Sequence, residues 1–237
     1  MNAPTPKVMM AAAVVLGLAV CPVAQGGSTF YYNASQAYLS AGDSPYSGSG
    51  LHLETFEDGT LNLAGVTANH GHVKGPGSRT DSVDGDDGNM NNLGRAGHSF
   101  TSGSSKSITF KFSNSGSQGL PTMAGLVWTD GHHDSTIRFK AWDKSGNLIG
   151  KIKVNVGDLM RNGGTAEDRF LGLVSDKGIS KIRIVSNYAG FEIDHLQFAY
   201  GTSGMAVVPL PPAAAMGLIG LAGVGLLQRR IRKRVAH

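Results

Sequence analysis

The stretch of this chain that is richest in metal-binding groups covers residues 81–89 and contains Asp81, Asp84, Asp86 and Asp87. Four carboxylates within seven residues repel one another unless a cation or water screens them. Ca²⁺ takes six to eight oxygen ligands from loops of this kind, in which glycine permits the turn. The spacing differs from that of an EF-hand, so it does not assign an order of ligands. The sequence therefore predicts a calcium site formed by these four residues, with a solvated acidic loop as the alternative.

Histidines are the other candidate metal ligands. Within the body they occur in His70-Gly71-His72, in the pair His132-His133, and singly at positions 52, 98 and 195. A transition metal needs three or four His or carboxylate side chains that converge. The segment 69–77 is rich in glycine and predicts a loop, so the spacing alone does not favour a zinc-type site.

The sequence carries no recognised catalytic motif. It has no Gly-x-Ser-x-Gly elbow, no His-Glu-x-x-His helix and no P-loop. Glycoside hydrolysis needs two carboxylates about 5–10 Å apart, for which Glu167, Asp168, Glu192 and Asp194 qualify by residue type only. Nothing in the sequence supplies the difference in pKa that separates an acid from a base. We therefore predict that the protein is not an enzyme, with a glycan-cleaving enzyme as one alternative.

Aromatic side chains that could stack on sugar rings are Trp128, Trp142, Tyr46 and Tyr188. Trp128 lies within an apolar run, and Trp142 ends an alternating run. Both tryptophans are therefore predicted to be in the core. A calcium-dependent carbohydrate-binding module is the second alternative for the function.

The elements that must position these groups are predicted to be β-strands. Runs rich in β-branched and aromatic residues recur at 51–56, 107–112, 124–129, 136–142, 147–156, 170–174, 181–186 and 191–200. Several alternate between apolar and polar residues, which is typical of antiparallel sheets with one buried face. The sequence predicts an all-β, antiparallel two-sheet sandwich of jelly-roll type over 51–201. Residues 27–50 predict a loose leader with one edge strand at 29–32.

The last predicted strand changes its apolar parity. Phe191 and Ile193 follow one parity, whereas Leu196, Phe198 and Tyr200 follow the other. A strand can change faces in this way only with an extra residue, so a β-bulge is predicted near residues 194–195.

The charge of the whole chain differs from that of its body. Six of the 21 Lys and Arg lie in the termini, so the body combines 15 cations with all 17 Asp and Glu and carries a net charge of −2. Because Lys and Arg dominate phosphate binding, this balance argues against nucleic acid as a partner. The only cysteine, Cys21, lies outside the body, which excludes disulfides and thiolate metal sites there.

Both termini carry export signals. Lys7, an apolar run at 8–20 and the small residues Ala24 and Gly26 predict a signal peptide over 1–26, in a helix that signal peptidase removes by cleavage before Gly27. A linker at 202–207 precedes Val208-Pro209-Leu210-Pro211-Pro212, a short apolar helix at 213–227 and a basic end. The basic end comprises Arg229, Arg230, Arg232, Lys233 and Arg234, and such excess positive charge marks the cytoplasmic side of a membrane helix.

The order of parts over 208–237 resembles the PEP-CTERM sorting signal of Gram-negative bacteria, with Leu210 where that family most often has Glu. The resemblance implies export across the inner membrane and membrane anchoring by helix 213–227 before processing. It further implies cleavage by an exosortase near the proline motif and delivery to the cell surface or extracellular matrix. The function that it implies is a non-enzymatic surface protein associated with exopolysaccharide or biofilm.

The body also resembles an uncharacterised class of PEP-CTERM substrates. The blocks that carry this resemblance are 80–84, 97–100, 125–131, 166–170 and 192–197. The resemblance implies that polar residues of these blocks cluster, so that Asp130, Glu167, Asp168 and Asp194 join the acidic loop around an ion.

Overall fold

The structure is a computed structural model that describes residues 28–32, 37–46, 50–89, 91, 93–114, 116, 119–156 and 168–201. The regular structure of these residues is almost entirely β-strand, and the strands form two antiparallel sheets with a shared core. The prediction of an all-β sandwich of two antiparallel sheets is confirmed.

Twelve strands and two single-turn 3-10 helices make up the described regular structure. The strands are β1 (Thr29–Tyr32), β2 (Leu51–Glu54), β3 (Val66–Ala68), β4 (His72–Lys74), β5 (Ser99–Thr101), β6 (Ser107–Phe112), β7 (Pro121–Asp130), β8 (Ser135–Trp142), β9 (Leu148–Val156), β10 (Arg169–Val174), β11 (Lys181–Ser186) and β12 (Glu192–Tyr200). The helices cover Ala41–Asp43 and Asp84–Asp86.

The two sheets differ in size. The larger has seven strands, with β1-β10-β7-β12-β5-β4 in order and β2 paired to β12 next to β5. The smaller has five strands in the order β3-β6-β11-β8-β9.

The main core lies between the sheets and is built from the inward positions of alternating strands. On β11, Ile182 and Ile184 are buried, while Arg183 between them is exposed. Trp128 of β7 and Phe198 of β12 belong to the same buried cluster. Successive side chains of a strand point to opposite faces, so this alternation leaves the outer face of the smaller sheet to polar residues.

A second, smaller core covers the outer face of the larger sheet. Tyr38 and Tyr46 from the N-terminal segment pack there with Val83 from the acidic loop. The Tyr46 hydroxyl lies 2.9 Å from the backbone carbonyls of Ala124 and Leu173 and donates to them. The larger sheet is therefore buried on both faces in this region.

This second core places the start of the folded domain before residue 51. The sequence predicts a loose leader over 27–50, with an edge strand at 29–32. In the structure β1 pairs with β10, and the described residues 37–46 pack on the sheet. The two buried tyrosines anchor this segment, although the predicted leader 27–50 is rich in serine and glycine.

Three short strands, β3, β4 and β5, are absent from the sequence prediction. Each has three residues, which is too few to show an alternating pattern. β4 lies within the segment 69–77 that the glycine content predicts as a loop. The loop prediction is therefore wrong for residues 72–74.

The predicted signal peptide at 1–26, the linker at 202–207 and the sorting signal at 208–237 lie outside the described residues, as does the predicted helix at 213–227. None of the helices among the described residues has the length and hydropathy needed to span a membrane.

Candidate functional site

β12 contains a β-bulge at the position that its change in apolar parity predicts. Asp194 lies opposite Val127 of β7, and Gln197 lies opposite Gly125, so β12 advances three residues where β7 advances two. Within this step His195 has a φ of 44°, in the left-handed region that few non-glycine residues adopt. The predicted bulge is confirmed.

The bulge directs two consecutive side chains to the same side of the sheet. Asp194 Oδ2 accepts a hydrogen bond of 2.8 Å from the backbone N–H of Val83. The ring of His195 packs against that of Tyr38, with 5.3 Å between the centroids. Since Val83 and Tyr38 both belong to the second core, Asp194 and His195 both lie beneath the loops that cover the sheet.

Two carboxylates of β12 hold the acidic loop in place. The N–H of Val83 donates to Asp194, and in the same way the N–H of Asp81 donates to Glu192 Oε2 at 3.0 Å. The same oxygen accepts a bond of 2.6 Å from the Ser99 hydroxyl, and the Lys74 ammonium bonds to Glu192 Oε1. Hydrogen bonds to charged groups are about twice as strong as neutral ones, so these contacts fix the loop on the sheet.

The docked loop brings Asp86 to Asp194 and His195. His195 Nδ1 lies 3.4 Å from Asp86 Oδ2 and 3.5 Å from Asp194 Oδ1. One potential ligand atom from each residue lies within 4.8 Å of the other two. The side chains of Asp194 and His195 are at most 1% exposed, whereas that of Asp86 is 16% exposed. We call these three residues the Asp-Asp-His cluster.

Two atoms of the Asp-Asp-His cluster, Asp86 Oδ2 and His195 Nδ1, are buried and have no hydrogen-bond partner among the described residues. Leaving a buried polar atom unsatisfied costs about 1–3 kcal/mol. Asp194 Oδ1, in contrast, accepts a bond of 2.5 Å from the N–H of His195. The two unsatisfied atoms face each other across the cluster.

The electrostatics of the Asp-Asp-His cluster favour additional positive charge. Burial raises the pKa of Asp86 to about 7, with the charge of Asp194 adding to the effect and His195 opposing it. Burial by itself lowers the pKa of His195, but the charges of Asp194 and Asp86 outweigh it and raise this pKa above its ordinary value. Both directions show that the negative charge of the cluster is unfavourable in this position unless a proton or a cation balances it.

The four predicted calcium ligands do not behave as one group. Asp84 Oδ1 accepts the N–H groups of Asn91 and Leu93. Asp87 Oδ1 accepts the N–H of residue 89 in a local turn, and Asp81 is 1% exposed. Of the four, only Asp86 belongs to a group of three or more potential ligands within the described residues.

The other acidic residues expected at the ion have separate positions. Asp194 joins the acidic loop, as the resemblance implies, but Asp168 is fully buried and its backbone carbonyl accepts the N–H of Tyr38. Asp130 lies opposite Glu192 at the end of β7. Glu167 lies outside the described residues.

The predicted sugar-stacking rings are mostly buried. Trp128 is fully buried and stacks on Phe191, which confirms its predicted core position. Tyr46 is 3% exposed. Trp142 is half-buried beneath the Lys181 ammonium and lies on the same outward parity as Lys140, so its predicted core position is wrong. Tyr188 is exposed and stacks on the ring of His132.

The outer face of the five-stranded sheet is basic. Its strands contain seven cations and no Asp or Glu. The cations are Lys111, Arg138, Lys140, Lys151, Lys153, Lys181 and Arg183. They alternate with core residues such as Ile137, Phe139, Ile182 and Ile184, so they point away from the core. We call this surface the basic face.

Cations of the basic face lie directly opposite one another on neighbouring strands. The like-charge pairs are Lys111–Lys181, Arg183–Lys140, Lys140–Lys151 and Arg138–Lys153. Side chains at such positions have Cβ atoms about 4.5–5.5 Å apart, and like charges there are destabilising. The cations of this face thus repel one another in the folded protein, and a bound polyanion would reduce that repulsion.

Neither the basic face nor the Asp-Asp-His cluster could be predicted from the sequence alone. The alternation of Lys151 and Lys153 with apolar residues indicates outward lysines, but only the pairing of the strands places seven cations together. For the Asp-Asp-His cluster the parity change marks the bulge, and nothing marks Asp86 as its neighbour.

No protein-family model and no curated protein match this chain. Among solved structures, the chain is similar to that of TmCBM61 in complex with beta-1,4-galactotriose, at 18% sequence identity and a TM-score of 0.30. That similarity covers 70% of this chain and 100% of the other. The proposed function therefore rests on the side chains of this chain.

Proposed function

We propose that this protein is a non-enzymatic component of the bacterial surface or extracellular matrix and that its sandwich domain binds an acidic polysaccharide through the basic face. The observation that carries the proposal is the set of seven cations on a sheet whose strands contain no acidic residue. The jelly-roll type of sandwich, flanked by two terminal helices, remains our prediction for the finer class of the fold.

The dimensions of the basic face suit a polymer better than a small anion. The cations lie on four adjacent strands, β6, β11, β8 and β9. Strands are about 4.8 Å apart, so the charged surface is roughly 14 Å wide. A chain of uronate or sulfated sugars presents carboxylates or sulfates in series, and Arg and Lys bind such oxyanions by charge-assisted hydrogen bonds.

A glycan fits the rest of the chain better than a nucleic acid does. The body carries a net charge of −2, so attraction to a polyanion is confined to one surface. Proteins that bind nucleic acid generally show a strongly basic balance over the whole domain. The export signals predicted at both termini also favour a partner outside the cytoplasm.

Binding to polygalacturonate, a polymer of uronic acid, tests this proposal with the full chain kept in detergent. We expect the affinity to fall steeply as the salt concentration rises, because the bound cations release counterions from the polymer. The charge-reversed variant K140E/K151E should bind at least tenfold more weakly at the same ionic strength. Uncharged dextran should show no binding.

The matched control is K144E/K177E. Lys144 and Lys177 are exposed, lie in turns outside the basic face, and their reversal changes the net charge by the same amount. This variant should bind polygalacturonate within about threefold of the unmodified protein. An equal loss in both variants, or equally tight binding to double-stranded DNA, would contradict the proposal.

The sorting part of the proposal has its own test. It holds that signal peptidase removes residues 1–26, that helix 213–227 then anchors the chain, and that an exosortase cleaves near the proline motif. P209A/P211A should leave the uncleaved chain in the inner membrane, as followed by immunoblotting of cell fractions. Unchanged delivery of this variant to the surface would show that the motif does not direct sorting.

A further inference from the structure

We propose that Asp86, Asp194 and His195 bind one divalent transition-metal ion, of the chemical class of Zn²⁺, which fastens the acidic loop to β12. This inference goes beyond glycan binding and does not depend on it, because the Asp-Asp-His cluster lies under the larger sheet's covering loops and the basic face lies on the other sheet.

The first support is the state of the His195 ring. The side chain is 1% exposed, and within the described part of the chain Nδ1 has no hydrogen-bond partner although it faces two carboxylates. A protonated Nδ1 would approach one carboxylate to about 2.7–3.2 Å. The observed separations of 3.4 and 3.5 Å leave the nitrogen at a similar distance from both oxygens.

The second support is the spacing of the three atoms. Zn²⁺ binds His nitrogen and carboxylate oxygen at about 2.0–2.2 Å in a tetrahedral site, which places neighbouring ligand atoms roughly 3.4 Å apart. The two distances from His195 Nδ1 to Asp86 Oδ2 and to Asp194 Oδ1 match this edge. The Asp86 and Asp194 oxygens lie within 4.8 Å of each other, so a bound ion would draw them together by up to about 1.4 Å to reach this edge.

The donor set favours a transition metal over Ca²⁺. Ca²⁺ requires six to eight oxygens, whereas the cluster offers one imidazole nitrogen and two carboxylates. Imidazole is a preferred ligand of Zn²⁺ and its neighbours in the first transition row. The fourth position is left to water, which can reach the site beside Asp86, the most exposed of the three side chains.

Surrounding contacts orient the ligands. Asp194 accepts the backbone N–H groups of Val83 and of His195, so its carboxylate is held by both the loop and the strand. The left-handed φ of His195 and its packing against Tyr38 fix the direction of the ring. Such supporting contacts determine how well a metal site binds.

The test is calorimetric titration of the full chain with ZnCl₂ in detergent, after chelation and without a polyhistidine tag. We expect one equivalent of Zn²⁺ to bind per chain. D86N removes a charged ligand at the most exposed position and should weaken binding at least tenfold. Co²⁺ in place of Zn²⁺ should give visible absorption bands that D86N reduces.

The matched control is D87N, which changes the neighbouring carboxylate in the same loop but outside the cluster. It should bind Zn²⁺ as the unmodified protein does, and circular dichroism in chelator should show that both variants are folded. The double variant H132A/H133A tests the surface pair of histidines and should also leave binding unchanged.

Three results would overturn the proposal. The first is that no equivalent of Zn²⁺ binds at micromolar concentrations, in which case a proton balances the negative charge of the cluster. The second is a loss of affinity in H132A/H133A or D87N that equals the loss in D86N. The third is Ca²⁺ binding as tight as Zn²⁺ binding. None of these results bears on polygalacturonate binding, so the two proposals fail separately.

Discussion

Asp194 and Val83 are joined by a hydrogen bond of 2.8 Å between Oδ2 and the backbone N, across 111 residues of sequence. Glu192 and Asp81 repeat this relationship two residues earlier on both segments. The acidic loop is therefore attached to the larger sheet by carboxylates that accept from its backbone. Removing these acceptors should loosen the loop without touching the main core.

Glu192→Ala should lower the free energy of unfolding by about 3 kcal/mol. The change leaves the N–H of Asp81 and the Ser99 hydroxyl without their acceptor, and Lys74 loses its ion-pair partner but keeps its bond to the Arg79 carbonyl. Urea denaturation followed by tryptophan fluorescence measures the effect. Asp87→Asn is the control and should change stability by less than about 0.5 kcal/mol. A similar loss in both variants would mean that the loop is attached by other contacts.

His195→Gly should be more stable than His195→Ala by about 1 kcal/mol in the presence of chelator. Both variants lose the ring, but alanine at a φ of 44° keeps the steric strain that glycine avoids. The comparison therefore isolates the backbone of the bulge. Equal denaturation midpoints for the two variants would show that the bulge relaxes when the ring is removed.

Tyr46→Phe should destabilise the domain by about 1 kcal/mol. The buried hydroxyl donates to carbonyls of β7 and β10, and phenylalanine leaves those carbonyls without this donor. Tyr188→Phe, at an exposed ring, is the control and should have little effect. An unchanged midpoint for Tyr46→Phe would indicate that residues 37–46 do not contribute to the folded domain.

Asp143 should titrate below its ordinary range. Hydrogen bonds from the Asn147 side chain and from the backbone N–H groups of Asn147 and Ser145 lower the pKa of this exposed carboxyl. A lowered folded-state pKa adds stability above the unfolded value of about 3.9, and that stability is lost as pH falls through the folded pKa. NMR titration of the side chain measures the pKa of Asp143. A pKa at or above 3.9 would contradict the expectation.

Removing the inferred metal should lower the thermal stability of the protein. A ligand of the native state at a hundred times its dissociation constant adds about 2.7 kcal/mol. For a domain of this size that corresponds to roughly 5–10 °C in Tm. Differential scanning calorimetry with Zn²⁺ and then with chelator measures the shift, which D86N should reduce to about half or less and D87N should retain.

The strands with a clear alternation could be predicted closely from the sequence. The prediction for β6 and that for β11 match the structure in both limits, and those for β8 and β9 differ by one residue at one end. One face of the smaller sheet is buried and the other is exposed to solvent. Apolar and polar residues therefore alternate along its strands with a period of two.

The candidate sites could be predicted only in part. The bulge follows from β12 alone, since its parity is a local property. That Asp86 is the neighbour of His195 could not be predicted, because Asp86 lies in a loop more than a hundred residues away. The loop reaches β12 through hydrogen bonds from backbone N–H groups, which leave no mark in the sequence. For the same reason the carboxylates of residues 81–87 suggested one calcium site, whereas the fold gives them separate partners.

The lengths of the edge strands bear on how well this protein resists pairing of its sheet edges with a second copy. β1, β2, β3 and β4 expose only three or four residues each, too few to template pairing with another chain. Among the described edge strands β9 is the exception, with nine residues at the edge of the smaller sheet, and it carries Lys151 and Lys153. Lysines on an edge strand repel a second copy before strand pairing and aggregation begin. The residues that make the face basic therefore also keep individual molecules apart.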